Sequence, residues 1–169
     1  MGAASRDQSP FRADADGAGV QIEADIPSAP PPPRERHDDT MFESLDFVYV
    51  PTGDVAAAAA HHREALGAEL LWSVRAMDTT VAALRVSAAG PQILLSGHLE
   101  GERPVLVYRV GDYQQTLQAL QAAGLQAIRE LEIPHGPCAA FRVRGGQRYA
   151  IYELTRPHAD DHFLGRFDL

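Results

Sequence analysis

The chain has 169 residues, room for one ordinary domain at about 100–200 residues each, and its apolar fraction of 45% supports a sizeable core. Fifteen basic residues face 23 acidic ones for a net charge of −8, which argues against nonspecific binding to nucleic acid or to an anionic membrane, since both need a basic surface. Every basic residue is arginine and the only cysteine is Cys138, so Schiff-base chemistry, a phosphate-loop lysine, an internal disulfide and a cysteine-rich zinc site are all excluded.

Residues 1–40 hold half of the 12 prolines, including Pro30 to Pro33, and their few large apolar residues follow no period. Such a segment buries too little surface to offset chain entropy, so it is expected to be a disordered, acidic, proline-rich tail. No apolar run approaches the roughly 18 residues of a membrane span and no signal-peptide core is seen, so a cytoplasmic protein with no membrane or nucleic-acid partner is expected.

From Met41 the texture changes, and residues 41–169 read as one folded domain. Leu45 to Val50 predicts a strand, followed by a helix that Asp54 caps and Gly67 stops. Leu70 to Val74, Ala82 to Val86 and Gln92 to Ser96 read as three further strands. The pattern then repeats. Val105 to Val110 opens a second copy; Asp112 caps a helix with Tyr113, Leu117 and Leu120 at i, i+4 and i+7, and Gly124 stops it. Ala127 to Leu131, Ala139 to Val143 and Arg148 to Tyr152 complete it. Ala82-Ala-Leu-Arg-Val86 and Ala139-Ala-Phe-Arg-Val143 nearly spell each other at an offset of 57. Matched caps, stops and strand motifs argue for an internal duplication, with modules at about 43–100 and 103–157, because a half-sized unit with one helix needs its twin to complete a core.

Leu45-Asp-Phe-Val ahead of Asp54, Val105 through Asp112, and Gly145-Gly-Gln-Arg-Tyr-Ala-Ile-Tyr-Glu153 resemble the vicinal oxygen chelate superfamily of glyoxalase I, extradiol dioxygenases and bleomycin-resistance proteins. The resemblance implies an α+β fold in which duplicated βαβββ modules form a cup-shaped mixed sheet with the helices outside. In metal-using members four His, Gln or Glu ligands project into the cup from the first and last strand of each module. Carried across, those positions fall on Phe47, Leu94, Val105 and Ala150, none of which can donate a lone pair. No metal and no cofactor are therefore expected. Glu153 lies three residues beyond the fourth position, on the opposite face of its strand.

Since strand side chains alternate, the neighbours two residues away share the cup, and the candidate ligand-binding residues are Phe47, Tyr49, Gln92, Ser96, Arg109, Arg148 and Tyr152, with His135 at the rim. Rings, guanidinium groups, an amide and a hydroxyl suit a small organic ligand, aromatic or anionic. His61 and His62 point about 100° apart on a helix and read as packing or surface residues; His98 and Glu100 read as a solvated loop. Cys138 near His135 reads either as an activated thiol or as a small core residue. Three functions remain open: a metal-independent binder, a lyase, isomerase or dioxygenase-type enzyme with His135, Tyr49 or Tyr152 as acid or base, or a structural or regulatory module that dimerises through its sheets. A homodimer is expected from the apolar C-terminal residues Phe163, Leu164, Phe167 and Leu169, which have no place in the repeat.

Overall fold

The computed structural model describes residues 40–76 and 79–169, so the expected tail falls outside the described residues except for Thr40. Strand β1 (Ser44–Pro51) leads into α1 (Val55–Leu66), β2 (Glu69–Ala76), β3 (Thr79–Arg85) and β4 (Gln92–Ser96). The second module repeats the order with β5 (Val105–Val110), α2 (Tyr113–Ala122), β6 (Ala127–Ile133), β7 (Gly136–Arg142) and β8 (Arg148–Glu153). A single 3₁₀ turn, Ala159–His162, precedes the C-terminus.

Local chemistry sets the helix limits. The Asp54 carboxylate accepts the Ala57 N–H at 2.9 Å and the Asp112 carboxylate accepts the Gln115 N–H at 2.8 Å, each satisfying one of the unpaired amides of a first turn. Gly67 ends α1 in the left-handed region at φ 64°, a conformation that glycine adopts without a Cβ penalty. On α2, Tyr113, Leu117 and Leu120 are all buried, as their spacing predicts.

The eight strands form one open mixed sheet in the order β2-β3-β4-β1-β5-β8-β7-β6. Each module contributes four consecutive strands, and the modules meet through the antiparallel pair β1–β5, while β1–β4 and β5–β8 run parallel. The outer face carries the helices: Val55 and Ala59 of α1 pack with Leu84 and Leu95, and the apolar stripe of α2 packs with Val110, Phe141 and Ile151. Both modules bulge at equivalent places, between Leu70 and Trp72 and between Ala127 and Arg129, so the duplication extends to its irregularities. Among the described residues no helix is long and apolar enough to cross a membrane.

The apolar C-terminus has a place on its own domain. The Ser73 N–H donates to the Arg166 carbonyl at 2.8 Å, the Arg75 N–H donates to the Asp168 carboxylate at 3.1 Å, and Phe163 stacks on Trp72 with centroids 4.9 Å apart. The segment thereby covers part of the edge strand β2, where unpaired amides would otherwise invite another chain. Leu164, Phe167 and Leu169 remain exposed.

Candidate functional site

A cleft of about 1220 Å³ occupies the inner face of the sheet. Trp72 and Val74 from one edge strand and Leu131 and Ile133 from the other line the same cleft, so the sheet curls until its two edges face each other. Phe47, Leu94, Val105, Val107 and Ala150 make the floor and Trp72, Val81 and Phe163 one wall; Arg142 and its cross-strand partner Arg148, which bonds the Arg103 carbonyl, gather at one end, and Arg129, paired two residues along β7 from Arg142, lines the cleft beside them.

The floor tests whether a metal would fit. Phe47, Leu94, Val105 and Ala150, the four positions that the duplicated fold would give to metal ligands, all belong to one buried apolar cluster, none more than 8% exposed. A cation placed there would exchange water oxygens for hydrocarbon with no donor in return, which is prohibitive even for a single charge. Glu153 does not supply one: its carboxylate accepts the Tyr113 N–H at 3.0 Å, on the α2 side of the sheet. Among the described residues no group of three or more His, Cys, Asp or Glu side chains is gathered to hold an ion. The residues present do not fit the group that the fold implies.

Of the seven candidates that strand alternation marks, Phe47, Tyr49 and Arg148 line the cleft, as does His135, the rim candidate. The other four stand behind or beside it, each held by a polar partner. Arg109 lies 3.2 Å from the Glu43 carboxylate and 3.7 Å from that of Asp46, at the start of β1, and so points along the sheet rather than into the cleft. The Tyr152 hydroxyl donates to Asp46, and burial first, then this bond, pushes its pKa well above the usual tyrosine value. Ser96 is fully buried with its hydroxyl 3.0 Å from His98 Nδ1, and the Gln92 side chain helps to lower the Asp160 pKa. Three of these four therefore support residues of the site: Gln92 steadies Asp160, Ser96 steadies His98 at the cleft, and Tyr152 packs edge-on against the His135 ring at 5.9 Å.

His135 sits on the β6–β7 turn with Nε2 2.9 Å from the Asp160 carboxylate, and its ring packs on Phe47 at 5.0 Å. The bond from His135 holds the Asp160 carboxyl below the ordinary carboxylate value, with Gln92 adding to the effect. A half-buried imidazole oriented by a carboxylate at the wall of a cleft has the geometry of a proton donor or acceptor. Burial pushes both Tyr49 and Cys138 up to about 12, the tyrosine further helped by the neighbouring thiol, so both stay protonated near neutral pH. Cys138 is 5% exposed and packs in the floor cluster, so of its two readings the core residue is the one its surroundings favour. It should react with a thiol reagent such as iodoacetamide at pH 8 at least about tenfold more slowly in the folded protein than in urea, because a thiol with so high a pKa supplies little thiolate; equal rates would restore the nucleophile.

Trp72, Phe163, Asp160 and the arginines 103, 129 and 142 were not among the candidates. The arginine at the end of each Ala-Ala-x-Arg-Val motif was visible as a repeat, yet the sequence alone does not say that Arg85 is neutralised by Glu69 while Arg142 faces the cleft. His98, expected in a solvated loop, is exposed but lines the mouth of the cleft, fixed by the hydroxyls of Thr79 and Ser96. His61 is exposed and His62 bonds to the Ala58 carbonyl within its own helix.

No family model matches the chain, and no curated protein matches it. Among solved structures it is similar to methylmalonyl-CoA epimerase from Mycobacterium tuberculosis, with 19% identity and a TM-score of 0.60 over 72% of this chain and 94% of that one. A hypothetical protein from Bacillus halodurans C-125 matches with 16% identity and a TM-score of 0.57, covering 67% and 95%. Streptomyces coelicolor methylmalonyl-CoA epimerase in complex with 2-nitronate-propionyl-CoA matches with 12% identity and a TM-score of 0.56, covering 68% and 96%. At these identities the likeness establishes the fold, which is that of the vicinal oxygen chelate proteins.

Proposed function

We propose that the protein is a metal-independent member of this fold that binds a small organic molecule, aromatic or anionic, in the cleft between the two modules. The observation that carries the reading is the apolar floor at Phe47, Leu94, Val105 and Ala150, flanked by stacked rings on one side and guanidinium groups at one end. Apolar area then supplies affinity and a few polar groups fix orientation, as in small-molecule sites generally. No resident cofactor is required. Screening the purified protein by thermal shift against metabolites and aromatic acids tests this. A ligand at about a hundredfold excess over its Kd adds about 2.7 kcal/mol, or roughly 10 °C for a domain of this size. A hit recovered chemically unchanged supports the binder; a cleft that takes none of the compounds counts against it.

A second reading, an isomerase or related enzyme, is favoured by one feature, the His135–Asp160 pair at the wall of the cleft. In it His135 moves a proton to or from the bound molecule while Asp160 holds the ring in place. It predicts turnover of a screening hit that is lost in His135→Gln with binding retained. A homodimer is proposed for either reading, with the exposed Leu164 and Phe167 as its candidate contact; light scattering giving a monomer mass at micromolar concentration removes it.

A further inference from the structure

Strand pairing relates the two modules residue by residue, and at one end of the cleft the copies differ in charge. In the first module Glu69 faces Arg85 across the β2–β3 pair and binds it at 3.2 Å. The matching positions in the second module are Gln126 and Arg142, so the neutralising carboxylate is an amide there. Trp72 pairs with Ala83 in the first module, whereas Arg129 pairs with Ala140 in the second. Gln92 sits beside Phe47 in the first, whereas Arg148 sits beside Val105 in the second. One copy is neutral at these places; the other carries three guanidinium groups, all lining the cleft.

Among the described residues nothing neutralises this concentration of charge. Arg142 and Arg148 are direct cross-strand partners, an arrangement of like charges that destabilises a sheet. Among the described residues no carboxylate oxygen lies within 4.0 Å of Arg129, Arg142 or Arg148, although the chain has an excess of acidic residues and Glu100 and Glu102 line the same end. Arg148 is instead braced by the main-chain carbonyls of Glu100 and Arg103, which fix its fork without cancelling its charge.

We propose that this end of the cleft is a subsite for a phosphoryl group carried by the organic ligand; the inference rests on the small-molecule reading and narrows it. A phosphate monoester brings close to two negative charges and three acceptor oxygens, which matches several unneutralised guanidinium groups better than a single carboxylate does. The rest of the molecule then lies toward the apolar floor and the Trp72–Phe163 wall.

Calorimetric titration of the full chain with 1-naphthyl phosphate and with 1-naphthol separates the two levels. The phosphate is expected to bind at least about tenfold more tightly than the alcohol. Arg142→Gln and Arg129→Gln should each remove about tenfold of that affinity while leaving naphthol within about twofold. Arg85→Gln, the equivalent change at the neutralised position, should leave both ligands unaffected. Because Arg142→Gln relieves a like-charge pair, its melting temperature should equal or exceed that of the parent, so a loss of binding cannot be laid to unfolding. Naphthol binding with no preference for the phosphate, or an Arg85→Gln loss as large as that of Arg142→Gln, overturns the subsite alone. Failure of both probes overturns the subsite together with the small-molecule reading.

Discussion

Replacing Phe47 with alanine is expected to lower the unfolding free energy by about 3–5 kcal/mol, the usual range for deleting a buried aromatic side chain. The ring is 6% exposed and sits where the two modules meet, in one cluster with Leu94, Val105 and Ala150 and within 5.7 Å, centroid to centroid, of Tyr152. Its strand is the middle of the sheet, paired with β4 on one side and β5 on the other, so the surroundings have little freedom to collapse into the void. The loss is a large share of the roughly 5–15 kcal/mol that holds a domain together. Urea unfolding should show the midpoint falling with little change in slope. Phe47→Leu should recover most of the difference. A cost below about 1 kcal/mol for the alanine variant would mean that Phe47 is a loosely held lining residue rather than part of the core.

Gly136→Ala is expected to cost a comparable amount through the backbone. Gly136 has φ 151°, and a Cβ at that position would stand 2.2 Å from the Glu153 carbonyl oxygen and 2.7 Å from the Thr155 hydroxyl. The nearer atom belongs to the main chain of an adjacent strand and cannot turn aside. Relief therefore requires parting β7 from β8, with the strain and overpacking together worth about 3–5 kcal/mol. The same turn carries His135, whose carbonyl accepts the N–H groups of Thr155 and Arg156, both at 3.0 Å. A shift there displaces the imidazole from Asp160. The variant should accordingly lose stability and, in the same measurement series, lose ligand affinity even where it remains folded. An alanine variant with the parental melting temperature would show that the two strands are not held as closely as the structure has them.

How much of this was legible beforehand follows from what each signal can carry. Duplication, helix caps and helix stripes are local or periodic features, and Asp54, Asp112 and the Tyr113–Leu117–Leu120 spacing act as read. Alternation along β1, β4, β5 and β8 gives the face of each residue, and the floor residues Phe47, Leu94, Val105 and Ala150 do share the inner face. It does not give depth or reach. Arg109, Gln92, Ser96 and Tyr152 lie behind or beside the lining: Arg109 and Tyr152 are held by carboxylates that another segment brings in, whereas Ser96 bonds His98 two residues further along. In β2 and β6 the bulges after Leu70 and Ala127 break the period, so a strict two-residue count cannot bring Trp72 and Arg129 to the cleft. Phe163 and Asp160 arrive from beyond the repeat, by tertiary docking that no local pattern encodes.

Metal content is the measurement closest to the central claim. Protein purified without chelator and analysed by elemental mass spectrometry should contain far less than one equivalent of zinc, nickel, iron, cobalt or manganese per chain, and calorimetric titration with zinc or manganese should reveal no tight site. The expectation follows from the side chains at Phe47, Leu94, Val105 and Ala150, which offer a cation hydrocarbon in place of oxygen or nitrogen. A stoichiometric divalent ion that survives dialysis and protects the fold from urea would contradict it.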